Sequence, residues 1–229
     1  DIPETVVEAS AAAGYISRLL SGSRGTCTRK KEYPPEKNVL REKPRIGVFV
    51  CNCGINIGSV VNVPAVAEYA GKLANVAYTD SFLFTCSQDS IEKIKQAIVD
   101  HSLNRVVVAS CTPRTHAPLF QSALREAGLN PYLYDHVNIR EHSSWVHRER
   151  PGEATEKAMD LVRMAVSRAR LLMPVAQSYV DMTPSALVVG GGVAGLTASI
   201  SLAEQGFKVY LAEKSGQLGG RVKSMRYSI

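Results

Sequence analysis

Four cysteines follow apolar runs of the sequence and could together bind a soft metal. Cys51 and Cys53 end one such run, and Cys86 and Cys111 end two others. Apolar runs of this length are typical of buried parallel strands, whose carboxyl ends meet at the ligand-binding edge of an α/β sheet. Strand alternation predicts that Cys51 and Cys53 point to the same face. Three strand ends that deliver thiols to one edge make a candidate soft-metal site, and four thiolates would suit zinc.

Other interpretations of these cysteines remain open. Cysteines at strand ends are often simply small buried apolar residues. A disulfide between Cys51 and Cys53 is disfavoured, because a Cys-x-Cys bridge closes a small, strained ring. Cys27 lies in a polar, basic stretch and is interpreted as a bystander thiol. Five cysteines in 229 residues argue against a disulfide framework and for a reducing compartment.

A glycine-rich sequence near the end of the chain predicts a dinucleotide-binding site. The segment 186–195 reads as a strand that leads into Gly-x-Gly-x-x-Gly and then a helix. Gly190 would make the turn, Gly192 would let the backbone approach a pyrophosphate, and Gly195 would let the helix pack closely on the strand. The free N–H groups at the helix N-terminus suit a phosphate. Glu213 ends the next strand and could bind the hydroxyls of a ribose.

The residues around this turn complete the predicted cofactor site. A glycine doublet in the segment Gly-Gln-Leu-Gly-Gly-Arg at 216–221 favours flavin over nicotinamide, so FAD is the expected dinucleotide. The further residues predicted to contact it are Val193, Ala194, Lys214, Gly219, Gly220 and Arg221. No residue is singled out as catalytic.

The elements that must position both sites alternate along the chain. Strands are predicted at 45–51, 76–85, 105–109 and 131–139, and helices at 63–73, 88–101, 117–127 and 153–173. This order predicts an α/β fold with a parallel sheet covered by helices on both faces. A connecting helix and the first βαβ unit of an FAD-binding Rossmann domain are expected to follow. His116 is placed in a loop before its helix.

The chain divides into five expected segments. They are a helix at 1–20, a polar linker with little to bury at 21–44, the cysteine-containing α/β domain at 45–150, a connecting helix packed between two domains at 151–177, and the start of the FAD-binding domain at 178–229.

Composition excludes several classes of function. The net charge is +6, but the basic residues are scattered and are not interleaved with aromatics, so nucleic-acid binding is not expected. No apolar run approaches the roughly 20 residues that a membrane span requires. The first residues lack the basic and apolar regions of a signal peptide.

Taken together, the motifs resemble those of the A subunits of heterodisulfide reductases. They are Cys-Asn-Cys-Gly at 51, Cys-Ser at 86, Cys-Thr-Pro-Arg at 111, Asn-Ile-Arg-Glu at 138, Trp-Val-His at 145, and the two glycine motifs at 190 and 219. The resemblance implies an electron-transfer flavoprotein that passes electrons between a [4Fe–4S] cluster and FAD. The resemblance also implies a cytoplasmic complex with other redox subunits and with the rest of the same polypeptide. A homo-oligomer is the alternative assembly.

The sequence departs from the family pattern in two respects. The family usually has a cysteine before the Trp-Val-His segment, where this chain has Ser143 beside His142, either of which could replace a ligand. The family's flavin domain is also much longer, and residues 1–13 resemble the helix that closes it. A piece of a longer protein is therefore expected, with weak or absent FAD binding in a chain of this length. The alternative is a non-catalytic docking or scaffold domain with a vestigial or zinc-binding cysteine site.

Overall fold

The computed structural model describes residues 1–225, which fall into two compact units. The larger unit comprises residues 32–177, and the smaller combines residues 1–31 with the described residues from 178 onward. Over the described range, every helix is too short or too polar to serve as a transmembrane span.

Strands and helices alternate through both units. The strands are β1 (Ile46–Cys51), β2 (Val76–Phe82), β3 (Arg105–Ser110), β4 (Tyr134–Asn138), β5 (Ser185–Val189) and β6 (Lys208–Ala212). The helices are α1 (Ile2–Leu19), α2 (Val63–Gly71), α3 (Gln88–Asp100), α4 (Pro113–Glu126), α5 (Pro151–Ala169) and α6 (Val193–Glu204). Short helical turns follow β1 at Gly54–Asn56 and β4 at Arg140–Ser144.

The larger unit is built on a four-stranded parallel sheet with the order β2-β1-β3-β4. The chain passes from β1 to one neighbour and then returns to the other side of β1, so the order reverses between β1 and β3. In open α/β sheets the ligand crevice lies outside the carboxyl ends of the strands at such a reversal. The predicted α/β fold with a parallel sheet is confirmed.

Helices cover both faces of this sheet. On one face, α3 and α4 pack against a cluster that includes Phe49, Ile98 and Phe120. On the other face, α2 and α5 pack against Val48 and Val107. Helix α5, which was expected to connect two domains, contributes a buried stripe to this second cluster: Ala154, Ala158, Val162, Ala165, Val166 and Ala169. Its small residues let it lie close to the sheet of the larger unit.

Residues 32–44 contact the rest of the larger unit at a few points. Val39 is only 2% exposed and joins the core on the α3/α4 face. The Lys37 N–H donates to the carbonyl of Gly128 at 2.9 Å, and the Asn130 side chain donates to the Glu36 carboxylate at 3.0 Å. Val39 is the one buried residue of the stretch 21–44, which is otherwise exposed or half-buried, as expected of a polar linker with little to bury.

Helix α4 begins four residues earlier than predicted. The side chain of Thr112 accepts a hydrogen bond from the Arg114 N–H, and Pro113 occupies the first helical position, where its missing N–H costs nothing. His116 therefore lies on a helix rather than in a loop, contrary to the prediction.

The smaller unit is a two-stranded parallel sheet of β5 and β6 with α6 between them in sequence. Helix α1 belongs to the same unit, and Arg18 on it forms an ion pair with Glu204 on α6 at 3.0 Å. The Arg24 guanidinium lies 4.1 Å from the centre of the Phe207 ring. None of the residues of α1 is buried, so apolar side chains such as Val7 and Ile16 are exposed within the described residues.

Candidate functional site

Cys51 is the last residue of β1 and is nearly fully buried. Its sulfur accepts a hydrogen bond from the backbone N–H of Thr85 at 3.3 Å. Thr85 lies in the turn after β2, so the carboxyl ends of β1 and β2 meet at this sulfur. Backbone N–H groups aimed at a cysteine sulfur stabilise its thiolate form and tune bound clusters.

Cys53 reaches the same edge of the sheet by a different route from the one predicted. Its φ of +48° is left-handed, so strand alternation stops before it and the turn Gly54–Asn56 begins. Cys53 packs against the core on the α2/α5 face. Phe49, which shares a strand face with Cys51, lies in the opposite core. The prediction that Cys51 and Cys53 share one face was therefore wrong.

Cys86 and Cys111 are close enough to the other two thiols for their pKa values to depend on them. Burial raises the pKa of Cys86, and the nearby Cys51 thiol adds to this effect. Burial also raises the pKa of Cys111, whereas the Arg140 guanidinium lowers it and the Cys53 thiol raises it again. The structure therefore brings all four predicted cysteines to one edge, near the reversal of strand order.

The donor set at this edge fits a thiolate-ligated group. Thiols crowded in a partly buried site resist ionisation, and a bound cationic centre replaces their protons. Four sulfurs from three strand ends are the number that a [4Fe–4S] cluster or a structural zinc requires. Within residues 1–225, no three His, Cys, Asp or Glu side chains are already positioned to hold a single metal ion.

Arg140, which was not predicted as a site residue, contacts this thiol group. Its Nη1 atom lies 3.8 Å from the Cys53 sulfur, and its Nη2 atom pairs with Glu141 at 3.0 Å. The guanidinium carbon lies 4.9 Å from the centre of the Trp145 ring. Arg140 follows β4, so it emerges at the same sheet edge as the cysteines. Its place directly after a predicted strand is the signal that could have found it.

Ser143 and His142, the proposed substitute ligands, have other surroundings. Ser143 is fully buried, and its hydroxyl donates to the carbonyl of Ala154 on α5 at 2.6 Å. His142 lines a groove of about 280 Å³ with Asp135, His136 and Arg168. No hydrogen bond in the described part of the chain joins either residue to a thiol.

His136 fixes the backbone at Cys111. Its Nε2 atom lies 2.9 Å from the Cys111 carbonyl and 2.8 Å from the Ser110 hydroxyl. A carbonyl only accepts, so Nε2 carries the hydrogen and Nδ1 accepts from the Tyr134 hydroxyl. Burial lowers the pKa of His136 to about 4. The ring is therefore neutral near pH 7 and holds the loop after β3.

The predicted glycine turn has the expected geometry in the smaller unit. Gly190 has a φ of +105°, which favours glycine. A Cβ on Gly195 would lie 1.9 Å from the carbonyl oxygen of Gly190, so α6 packs on β5 as closely as predicted. The space beside Gly192 is open, and no side chain caps the N-terminus of α6, where Val193 and Ala194 begin the helix. This cradle fits a pyrophosphate.

Glu213 ties the second strand to this turn. Its carboxylate accepts hydrogen bonds from the backbone N–H groups of Ser215 at 2.8 Å and Gly191 at 2.6 Å. These bonds, that from Ser215 first, lower the pKa of Glu213 to about 2. Gly219 and Gly220 both have positive φ, and a Cβ on Gly220 would lie 3.0 Å from the Cα of Gly192.

The remaining predicted cofactor residues, Lys214 and Arg221, are exposed beside this turn. The two glycine motifs and their acid thus define the class: a dinucleotide-binding Rossmann-like protein. Residues 188–228 match the family described as "NAD(P)-binding Rossmann-like domain".

Comparison with known proteins identifies the family more narrowly. The chain is 51% identical over 187 residues to the A subunit of the H(2):CoB-CoM heterodisulfide,ferredoxin reductase of Methanothermobacter marburgensis. It is 52% identical over 187 residues to an iron-sulfur A subunit, numbered 2, of the CoB–CoM heterodisulfide reductase of Methanopyrus kandleri. Each match covers 82% of this chain and 28% of the relative. The chain belongs to the family of heterodisulfide reductase A subunits and spans about 28% of the length of these relatives.

Proposed function

We propose that this chain is an electron-transfer module of a flavin- and iron–sulfur-containing oxidoreductase of this family. It would pass electrons between a [4Fe–4S] cluster and FAD within a larger redox complex. The observation that carries the proposal is that four cysteines follow three neighbouring parallel strands, whose carboxyl ends lie at one sheet edge. The thiolates of Cys51, Cys53, Cys86 and Cys111 would hold the cluster, which supplies one-electron chemistry. The name of the Methanopyrus relative, which includes the words iron-sulfur, supports this choice.

FAD would be bound through the glycine turn of the smaller unit. The open space beside Gly192 and the uncapped N-terminus of α6 support pyrophosphate binding. Glu213, held ionised by its hydrogen bonds, would bind the ribose, and the doublet Gly219–Gly220 would lie against the phosphates. The flavin supplies the two-electron chemistry, whereas the protein orients it and excludes other reactions.

Partners and location follow from the same family membership and from the state of the thiols. Relatives named as components of heterodisulfide reductases support assembly with other redox subunits and with further parts of the same polypeptide. All five cysteines are free thiols in the structure, which supports a reducing compartment such as the cytoplasm.

Iron and sulfide analysis after anaerobic reconstitution tests the proposal. The chain should take up about four irons and four sulfides, because the cluster has that composition. Cys53→Ala should take up far less iron, whereas Cys27→Ala should match the parent chain, since Cys27 is an exposed thiol outside the site. Equal iron in the two variants would contradict the proposal.

The alternative is a docking or scaffold domain with a zinc-binding or vestigial cysteine site. Two observations favour it: Ser143 uses its hydroxyl to hold α5, and no three ligands are yet positioned for one metal in residues 1–225. Tight zinc binding by the four thiols, or no metal with unchanged stability in Cys53→Ala, would establish this alternative.

A further inference from the structure

We infer that Arg140 is a fixed positive charge that raises the reduction potential of the group held by the four cysteines. The inference rests on the proposed function, because it concerns the cluster that the cysteines would bind. Arg140 lies at the start of the turn after β4. Its Nη1 atom is within weak hydrogen-bonding distance, 3.8 Å, of the Cys53 sulfur.

The charge of Arg140 also reaches a second thiol. The guanidinium opposes the burial-driven rise in the pKa of Cys111, which follows β3 on the neighbouring strand. Cys53 and Cys111 follow β1 and β3, the neighbouring strands that flank the reversal in strand order. The direct contact of Arg140 is with Cys53.

Arg140 is held in place rather than free in solvent. Its side chain is 22% exposed, and the guanidinium is fixed between the Trp145 ring and the Glu141 carboxylate. Its Nε atom is buried and has no hydrogen-bond partner among the described residues. A buried N–H without a partner destabilises a fold. Packing alone does not explain why the Nε atom of Arg140 is buried without a partner among these residues, whereas a role as a cation beside the thiols does.

A positive charge in this position has a definite effect on electron affinity. One-electron reduction adds a negative charge, which a nearby cation and N–H···S hydrogen bonds stabilise. The guanidinium stays protonated throughout the pH range in which proteins are handled. The contribution of Arg140 to the potential should therefore be the same at pH 6 and pH 8.

Four variants of the full chain separate charge from structure. Arg140→Gln removes the cation, and Arg140→Lys keeps it. Glu141→Gln removes the countercharge that pairs with Arg140 and so predicts a shift of opposite sign. Arg148→Gln is the matched control, because Arg148 is an exposed arginine of the same segment that lines a cavity beside Trp145.

The measurement is the midpoint potential of the reconstituted chain, followed by visible absorbance during anaerobic redox titration at pH 6 and pH 8. Arg140→Gln should shift the potential to more negative values and Glu141→Gln to more positive values. Arg140→Lys and Arg148→Gln should stay near the parent potential. The shifts caused by Arg140→Gln and by Glu141→Gln should each be the same at pH 6 as at pH 8.

Two results would overturn the inference. One is an unchanged potential in Arg140→Gln with full iron content, and the other is an equal shift in Arg140→Gln and Arg148→Gln. If Arg140→Gln fails to load iron, Glu141→Gln decides the question: a positive shift supports the inference and no shift overturns it. A parent chain that takes up no iron overturns the proposed function itself, which is a different result.

Discussion

Cys53 adopts a backbone conformation that cysteine rarely takes. Its φ of +48° lies in the left-handed region, which costs a non-glycine residue about 1–2 kcal/mol. Strain of this kind persists mainly at functional sites, where the surrounding structure imposes it. Here it turns the chain at the end of β1 and sends the Cys53 sulfur towards Arg140.

This strain predicts a difference between two variants that both lack the thiol. Cys53→Gly should be more stable than Cys53→Ala by about 1 kcal/mol, since glycine tolerates positive φ. Urea unfolding of the metal-free proteins measures this difference. Neither variant should retain the cluster. A less stable Cys53→Gly would contradict the left-handed geometry.

His136 predicts how stability depends on pH. Its pKa is about 4 in the folded chain, against an ordinary value of 6.5. Between these values the unfolded chain binds a proton that the folded chain excludes, so stability falls as the pH drops from 6.5 to 4. The loss should be on the order of 3 kcal/mol.

Urea unfolding at several pH values checks this expectation. His136→Gln should flatten the fall in stability over that window. His142→Gln should keep it, because His142 is exposed and serves as the matched control. Identical pH profiles for the parent chain and His136→Gln would rule out a buried neutral histidine.

At the level of elements, the sequence predicted the order of strands and helices and the glycine turn, because short sequence patterns determine these features. The alternation of strands and helices follows from hydrophobic periodicity, and the turn before α6 follows from glycine spacing. The start of α4 was missed because one threonine cap and one proline extend the helix beyond its apolar pattern. The polarity of residues 32–44 likewise concealed the buried Val39.

The cysteine site was predicted in its residues but not in its geometry. Sequence order placed four thiols at strand ends, whereas the left-handed Cys53 and the position of Arg140 depend on tertiary contacts. Periodicity carries no information about a single residue that leaves the strand conformation. It also cannot show that a side chain after β4 reaches a sulfur after β1.

The turn between β5 and α6 gives an element-level prediction. Gly195→Ala should destabilise the smaller unit by about 1–3 kcal/mol, because the new Cβ would overlap the Gly190 carbonyl. Gly192→Ala should have little effect on folding, since the space beside Gly192 is open and its φ of −78° suits alanine. Thermal unfolding of both variants measures this difference in stability. Equal losses of stability would show that the smaller unit does not depend on the close approach of α6 to β5.

At the level of the whole molecule, the core is unevenly divided. Within the described residues, every buried apolar side chain lies between Val39 and Ala169, inside the larger unit. Side chains of the smaller unit such as Leu187 and Val189 are mostly exposed. Because apolar burial provides most of the folding free energy, the larger unit should be the more stable.

Limited proteolysis tests this imbalance. Cleavage should begin within residues 178–225 and leave a resistant product that contains residues 32–177. Hydrogen exchange should show the same order, with slow amides in β1 and β3 and fast amides in β5 and β6. Uniform protection across both units would contradict the division of the core.

The proposed function depends above all on whether the four cysteines hold a cluster that accepts single electrons. Low-temperature EPR of the reconstituted chain, before and after dithionite reduction, answers this question. We expect a signal that appears on reduction, scales with the bound iron, persists in Cys27→Ala and is lost in Cys53→Ala. A chain that stays EPR-silent on reduction and holds zinc through the same cysteines would contradict an electron-transfer role.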